Sequence, residues 1–337
     1  MQGCLDSLLH YELCLILFWE ECKWRRVIYL YSTAFILCDL LPGWEGLTCL
    51  YFTSSTRTME KKSWDPAVVL PVCITSILVS SVALEVVYLI LTIPGNGQVM
   101  LFVLTSYLLF NVIGNMLRFI QSNPTIKGVF LEHGSMGQGW EYCYSCQTHV
   151  PPRCHHCFDC NVCVLRRDHH CTLLGKCVGH SNYRYFFCTL VHGWLALLLA
   201  TFLNAEIFME VLHEGFGFHS FFLLLMPWMM LVTGQVTLSA FVFAFVADTC
   251  VIGFLFCFAF FTLHSILLCR GSTTKEWFRG SPKEDYDLGW KRNFMEYLGE
   301  RWYLVLLSPW VESRIPGNGI NFQTAPNSRK FSKSTDL

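Results

Sequence analysis

The sequence has few charged residues for its length. Asp, Glu, Lys and Arg make up 15% of its 337 residues, while 53% are hydrophobic. Soluble domains carry roughly 25% charged residues, so this composition excludes an ordinary water-soluble globule. The net charge of −1 provides no basic excess that would indicate nucleic-acid binding.

The marks of a secreted chain are also missing. The sequence has no Asn-x-Ser/Thr glycosylation site and no secretory signal of the usual form. Ten of its 18 cysteines are scattered, mostly through apolar stretches, where cysteine behaves as a small hydrophobe and implies no disulfide framework. These absences favour a protein of an internal membrane, in which the other eight cysteines face a reducing cytosol.

Lysine and arginine are absent from two long segments, residues 63–117 and 185–269. The other segments, 1–62, 118–184 and 270–337, hold six, seven and eleven of them. The positive-inside rule places all three basic segments on the cytosolic face. Each basic-free segment must therefore cross the bilayer an even number of times.

The first basic-free segment divides into two spans, Pro66–Ile93 and Val99–Leu117, around a turn at Pro94–Gly97. The second offers three apolar runs. Phe186–Leu203 and Cys250–Leu268 are clear spans, whereas 221–247 is broken by Pro and Gly and is either interfacial, re-entrant or a hairpin of two short spans. We expect four spanning helices, with six as the alternative.

Residues 1–62 fit this arrangement poorly. The apolar stretch Val27–Leu41 has only fifteen residues and has basic residues on both sides, so a single crossing would break the charge rule. It is either interfacial or part of a leader foreign to the natural protein, and we expect the latter, with Met59 as the natural start. The expected domains are an N-terminal extension (1–62), two spans (63–117), a cytosolic cysteine-rich domain (118–184), two spans with an extra apolar segment (185–269), and a cytosolic C-terminal region (270–337).

Eight cysteines and five histidines lie within the 35 residues from Cys143 to Cys177. Cys-x2-Cys pairs place two thiolates for one tetrahedral zinc ion, and a closed site of four ligands is structural because no position is left for water. Each such zinc can contribute about 10–16 kcal/mol to folding. One economical donor set for two zinc ions comprises Cys143, Cys146, His156, Cys157, Cys160, Cys163, His170 and Cys177.

Two cysteines of the cluster, Cys154 and Cys171, remain outside this donor set. Cys154 has no acidic neighbour and is most simply a spare thiol. Cys171 follows Asp168 and His169, and a carboxylate that orients an imidazole beside a thiol is the composition that activates a nucleophile. A cysteine nucleophile at a membrane surface suits acyl transfer through a thioester.

Cysteine spacing alone leaves a second interpretation, a zinc-ribbon or RING-like interaction module. Nucleic-acid binding is disfavoured, because residues 118–184 hold seven basic and four acidic residues without aromatic–basic interleaving. The position of the segment between membrane spans also argues against a free nucleic-acid module. We therefore expect no nucleic-acid partner.

The cluster carries a series of motifs: Cys143-x2-Cys146, Pro151-x-Arg153, His156-Cys157-x2-Cys160-x2-Cys163, Asp168-His169-His170-Cys171, Cys177-Val178-Gly179, and Asn182 with Phe186. They resemble, without insertion, the cysteine-rich domain of the DHHC protein S-acyltransferases, or palmitoyltransferases. Thr273–Glu276 resembles the Thr-Thr-x-Glu motif of that family. Asp287–Gly289, Asn293 and Gly299 resemble its asparagine-centred C-terminal motif. Further similarity to one vertebrate member lies at Gln138–Trp140, Arg166–Arg167 and Gly317–Ile320.

The resemblance implies a polytopic α-helical membrane protein with two structural zinc ions. One zinc would be held by Cys143, Cys146, His156 and Cys163, and the other by Cys157, Cys160, His170 and Cys177. It also implies that Cys171 is the nucleophile, His169 its base and Asp168 the residue that orients the base. Cys171 would take a fatty acyl group from palmitoyl-coenzyme A and pass it to cysteines of membrane-associated proteins.

Basic residues of the domain are candidate contacts for the coenzyme A phosphates, or else hold the domain at an anionic membrane surface. They are Arg153, Arg166, Arg167, Lys176 and Arg184. The chain departs from the family at Thr172-Leu173, where most members have Pro-Trp. Because the tryptophan would line the site, we expect altered acyl preference or weak activity.

A zinc-stabilised membrane adaptor without turnover is the alternative function. It draws on Thr172-Leu173 and on the carboxy-terminal Thr335-Asp336-Leu337, which matches a PDZ-domain ligand. The intact Asp-His-His-Cys motif and all eight zinc positions favour the enzyme. The resemblance further implies a multi-pass protein of the Golgi or endoplasmic reticulum. The distribution of Lys and Arg places both termini and the zinc domain in the cytosol.

Overall fold

The computed structural model describes residues 66–92, 97–128, 139–205, 226–279 and 286–325, together with Met209 and Phe222. These residues belong to one compact unit. Its helices are α1 (Pro66–Thr92), α2 (Gly97–Gln121), α3 (Tyr183–Leu203), α4 (Pro227–Val232), α5 (Leu238–Cys269), α6 (Thr274–Arg279), α7 (Trp290–Leu298) and α8 (Trp302–Val305).

Four helices of the described part, α1, α2, α3 and α5, are long and apolar enough to cross a membrane. The prediction of a polytopic helical membrane protein with four spans is therefore confirmed. Helix α3 packs against both α2 and α5 and forms the centre of the bundle. Among the described residues, no further helix is long and apolar enough to span a membrane, so none supports the alternative of six spans.

The fourth span is longer than predicted and absorbs part of the interrupted run at 221–247. Between α4 and α5, Gly234 adopts a left-handed conformation with a φ of +70°. Thr237 then caps α5, since its Oγ1 accepts a hydrogen bond from the backbone N of Ala240 at 3.3 Å. Helix α5 thus begins at Leu238, twelve residues before the predicted start at Cys250.

A carboxyl group lies inside the bundle, where Glu85 of α1 is buried between α3 and α5. Its Oε2 accepts a hydrogen bond from Nδ2 of Asn204 at 3.2 Å, and Sγ of Cys250 lies 3.8 Å from the same oxygen. Polar groups within a membrane require such partners, since lipid offers none. These contacts connect three of the four spans.

The cysteine-rich domain consists of three successive antiparallel hairpins with strands of three residues. They pair β1 (Glu141–Cys143) with β2 (Thr148–Val150), β3 (His155–Cys157) with β4 (Val162–Val164), and β5 (His169–Cys171) with β6 (Lys176–Val178). Their turns contain Gln147, Asn161 and Gly175, which have φ angles of 51°, 47° and 60°. These left-handed residues are spaced 14 residues apart, so the chain repeats one hairpin unit.

The C-terminal helices pack against the hairpins and the spans. Asn293 of α7 donates from Nδ2 to the Cys269 carbonyl at 2.9 Å and accepts from the Leu288 backbone N at 3.0 Å. It thereby fixes the end of α5 to the loop before α7. Trp310 lies so close to Gly114 of α2 that a Cβ there would be 2.6 Å from its ring, so the segment after α8 packs directly against the membrane bundle.

Some of the sequence predictions lie outside the described residues, namely those on residues 1–62, on the turn at 94–96, on residues 221 and 223–225 of the interrupted run, and on Thr335–Leu337. The identity of the leader and the PDZ ligand therefore stay predictions.

Replacing Asn204 by Leu should destabilise the helix bundle, because the buried Glu85 carboxyl would lose its amide partner. We expect the free energy of unfolding to fall by about 1–2 kcal/mol, measured as a lower Tm in detergent. Thr262→Val is a matched control on α5, since the exposed Thr262 hydroxyl bonds to the Phe258 carbonyl of its own helix. Equal Tm values for the two variants would contradict this expectation.

Candidate active site and zinc centres

The predicted zinc ligands lie in two groups, each with three thiols and one imidazole. Within each group, all four donor atoms lie within 4.8 Å of one another. The groups are Cys143, Cys146, His156 and Cys163, and Cys157, Cys160, His170 and Cys177. The structure thus brings together the same two sets that the family resemblance implies.

Both the chemistry and the spacing of the donors suit tetrahedral zinc. In the first group, His156 Nδ1 is 3.3 Å from Cys146 Sγ and 3.7 Å from Cys143 Sγ. The Sγ atoms of Cys146 and Cys163 are 3.6 Å apart. Zn–S and Zn–N bonds of about 2.3 and 2.0 Å give tetrahedral edges of roughly 3.5–3.8 Å, so both groups can hold structural zinc without rearrangement of their scaffold.

Each ligand group joins two successive hairpins. The earlier hairpin supplies a Cys-x2-Cys pair, and the next supplies a His and a Cys that face each other across its strands, as His156 faces Cys163 and His170 faces Cys177. Every ligand of the second group follows its counterpart in the first by 14 residues. This repeat is a signal in the sequence from which the partition follows without any family resemblance.

Cys171 occupies the same place in the third hairpin as Cys143 and Cys157 in the first two. Leu174 stands where the second cysteine of a pair would be, so the third hairpin has no thiolate pair. Cys171 therefore corresponds by position to a zinc ligand but lies outside both groups. Cys154, the other unassigned thiol, is buried in the small apolar core of the domain.

The side chains of strand β5 lie on two faces that have different roles. Side chains alternate along a strand, and His170 belongs to the second ligand group. His169 and Cys171 therefore lie on the other face, where the Cys171 thiol acts on the His169 imidazole. His169 Nδ1 is 2.7 Å from Oδ2 of Asp168, so carboxylate, imidazole and thiol form one series.

The electrostatics of this series favour an ion pair at neutral pH. Burial would raise the pKa of Asp168, but hydrogen bonds from His169 and Thr274, together with the charge of His169, lower it to about 2. Burial would lower the pKa of His169, but its hydrogen bond to Asp168 and its interaction with Cys171 raise that pKa to about 9. The imidazole is therefore a cation at neutral pH, with the charge opposite to that of the Asp168 carboxylate.

Thr274, at the start of α6, holds Asp168 from a second direction. Its backbone N lies 2.9 Å from Oδ1 of Asp168, and its Oγ1 lies 2.6 Å from Oδ2. The sequence identified the surrounding Thr273–Glu276 motif but assigned Thr274 no contact. The two residues are 106 positions apart, so only the fold brings them together.

Two of the five basic residues predicted to contact coenzyme A are buried. Arg153 forms an ion pair with Glu276, with Nε 2.7 Å from Oε1, and Arg166 lies over the ring of Tyr297 at 3.9 Å. The other three are half-buried: Arg167, Lys176 and Arg184. Contact with coenzyme A stays a prediction for all five.

An apolar cavity of about 300 Å³ opens beside Cys171 and is lined by the four spanning helices. Along α1 it extends over the twelve residues from Thr75 to Val86, an axial rise of about 16 Å. Leu173 and Leu174 line it next to the thiol. Leu173 thus occupies the wall where the resemblance places a tryptophan in most family members.

Four spanning helices, two groups of zinc-type ligands and an Asp–His–Cys series beside an apolar cavity define an integral membrane protein with a thiol-centred site. A sequence model described as DHHC palmitoyltransferase matches residues 137–281. The chain is 50% identical over 266 residues to the probable palmitoyltransferase ZDHHC24 of Danio rerio. These residues cover 75% of this chain and 90% of that protein. The Homo sapiens protein of the same name is 46% identical over 261 residues, 76% of this chain and 91% of that protein.

A more distant relative is the probable protein S-acyltransferase 12 of Arabidopsis thaliana, 33% identical over 189 residues, which cover 55% of this chain and 57% of that protein. The chain belongs to the DHHC palmitoyltransferase family. The family resemblance inferred from the motifs is thereby confirmed, as is the similarity to the vertebrate member numbered twenty-four.

Metal content should separate the thiol of Cys171 from the ligands. Cys171→Ser should retain about two zinc ions per chain, because Cys171 lies outside both ligand groups. Cys157→Ser should lose zinc and solubility, because ligand loss removes folding free energy. The measurement is elemental analysis of purified protein, and loss of one zinc from Cys171→Ser would contradict the partition.

Proposed function

We propose that this chain is a protein S-palmitoyltransferase that works through a thioester on Cys171. The observation that carries the proposal is the position of Cys171, which contacts His169 on one side and lines a long apolar cavity on the other. A long acyl chain is insoluble in water, and the cavity provides an apolar environment for it within the bilayer. The family of the chain and the names of its relatives support the same activity.

The first stage transfers the acyl group to the protein. The Cys171 thiolate attacks the thioester carbonyl of palmitoyl-coenzyme A, a new carbon–sulfur bond forms, and the bond to the coenzyme A sulfur breaks. The departing coenzyme A thiolate takes the proton of the His169 imidazolium. Asp168, held by Thr274, orients the imidazole throughout.

The second stage restores the enzyme. Neutral His169 now accepts the proton of a substrate cysteine, whose sulfur attacks the acyl carbonyl on Cys171. The acyl group leaves on the substrate, and Cys171 returns as a thiolate beside the imidazolium. The two zinc ions, held by the eight ligands, would fold the hairpins and take part in neither stage.

We also propose that residues 118–184 and 270–337 face the cytosol and that the substrates are membrane-associated proteins with cytosolic cysteines. The absence of Lys and Arg from residues 63–117 and 185–269, which hold most of the four spans, supports this orientation. Residence in the Golgi or endoplasmic reticulum is proposed from family resemblance. No part of this proposal depends on a PDZ partner.

Transfer to Cys171 is tested by incubating the purified protein with an alkyne-tagged palmitoyl-coenzyme A. Wild type should acquire a hydroxylamine-labile label, and Cys171→Ala should acquire none. Cys269→Ala is the matched control, because Cys269 is an exposed cysteine at the end of α5 and should label like wild type. Absence of label on folded, zinc-loaded wild type would favour the adaptor instead.

The length of the cavity should set the preferred acyl chain. Val86→Phe introduces a ring at the far end of the cavity, and we expect transfer from 16-carbon relative to 12-carbon acyl-coenzyme A to fall about tenfold. Leu84→Phe is the matched control, because Leu84 is 72% exposed on the outer face of the same helix. The ratio of the two initial rates is the measurement, and an unchanged ratio in Val86→Phe would contradict the assignment of the cavity.

A further inference from the structure

A second histidine, His264 of α5, lies directly against the Asp168–His169 pair, and neither stage described above uses it. Its side chain is buried, with 1% of its surface exposed. One donor atom from each of the three residues lies within 4.8 Å of the other two. A buried imidazole this close to reacting groups must have a hydrogen-bond partner, because an unpaired buried polar group is costly.

Tyr183, the first residue of α3, supplies that partner. Its hydroxyl oxygen lies 3.1 Å from Nδ1 of His264, and both residues are 1% exposed. The hydroxyl and the imidazole therefore satisfy each other in a site closed to solvent. Since the two residues belong to different spans, their hydrogen bond also fixes the start of α3 against the end of α5.

Three rings meet on the membrane side of the catalytic pair. The ring centroid of His264 is 5.6 Å from that of His169 and 4.9 Å from that of Phe186. Phe186 in turn is 5.0 Å from His169, edge to face. The His169 ring is thus confined by His264 and Phe186, while Asp168 holds its Nδ1. This confinement limits the directions in which the imidazole can face.

The side chains of Asp168, His169 and His264 do not suit a third metal ion. Oδ1 of Asp168 already accepts from the Thr274 backbone, and Oδ2 accepts from Thr274 Oγ1 and from His169 Nδ1. Nδ1 of His264 is likewise engaged by Tyr183. Metal binding through these atoms would displace these bonds, so the geometry favours an organising role for His264.

The hydrogen bond between Tyr183 and His264 connects the site to the C-terminal helices. The ring of Tyr183 packs edge to face on Tyr297 of α7, with centroids 4.8 Å apart. The Tyr297 hydroxyl donates to the Gly271 carbonyl at 3.1 Å. A continuous series of buried contacts therefore runs from α7 through Tyr183 to the histidine beside His169.

We propose that His264, held by Tyr183, is a positioning residue that keeps the His169 imidazole aligned with the Cys171 thiol during acyl transfer. This inference rests on the proposed acyl transfer through Cys171. His264 touches neither the acyl group nor the thiol in the proposal. It acts through His169, by limiting the movement of that ring.

Removing either partner of the hydrogen bond should slow acylation of Cys171 without weakening substrate binding. In Tyr183→Phe and His264→Phe we expect kcat for acylation to fall about tenfold, with KM for palmitoyl-coenzyme A changed by less than about twofold. His264→Gln, which can still accept from the Tyr183 hydroxyl, should recover part of the rate. The double variant should lose no more than the poorer single variant, because both remove one interaction.

The reactivity of the Cys171 thiol provides a second measurement. The rate at which iodoacetamide alkylates Cys171 should fall in parallel with kcat, while the zinc content stays at about two ions per chain. His192→Phe is the matched control, because His192 is another buried histidine whose Nδ1 donates to the Cys188 carbonyl within α3. It should alter Tm but leave kcat and the alkylation rate near wild type.

Three results would overturn the positioning role. These are wild-type kcat in Tyr183→Phe and His264→Phe, equal losses of kcat in His192→Phe, and losses that accompany zinc release. A failure of the proposed function itself would look different, since wild type would then acquire no acyl label. The experiment therefore separates an error about His264 from an error about the reaction.

Discussion

The site depends on the alternation of side chains along one three-residue strand. In β5, His170 belongs to a zinc ligand group, while His169 and Cys171 lie on the opposite face. Ligation of His170 and Cys177 would hold both strands of the third hairpin, and so would fix the direction of the two reactive side chains. In such small hairpins, metal binding replaces the hydrophobic core that would otherwise orient them.

Elements outside the hairpins hold the Asp168 carboxylate and the chain beside the thiol. Asp168 is buried, and its charge is acceptable because Thr274, at the start of α6, donates to both carboxylate oxygens. On the other side of the thiol, the Thr75 hydroxyl of α1 lies 3.1 Å from the Leu173 carbonyl and 2.8 Å from the Pro71 carbonyl of its own helix. The third hairpin therefore lies between α6 and the first span, beside the cavity that the four spans line.

Most of the architecture could be predicted from the distribution of Lys and Arg, because crossing a membrane imposes a strong constraint on charge. The predicted start of the fourth span was wrong by twelve residues, since apolar composition alone does not show that Thr237 caps a helix. The zinc ligands follow from short-range spacing. In contrast, Thr274 lies 106 residues from Asp168, and no local pattern predicts that contact. For the same reason, sequence reasoning could not predict that Arg153 forms a buried ion pair with Glu276.

The repeat of hairpins explains why one cysteine of the cluster is free. Cys171 takes the place of Cys143 and Cys157 in its hairpin, but Leu174 replaces the second thiol, and in the described part of the chain α3 follows instead of another hairpin with a His and a Cys. A single thiol cannot hold zinc against competing sites with four donors. Leu174 instead lines the acyl cavity, so one residue both removes a metal ligand and adds apolar surface beside the thiol. The scaffold that orders zinc ligands elsewhere in the domain therefore presents this thiol, at the equivalent position of its hairpin, to the cavity between the spans.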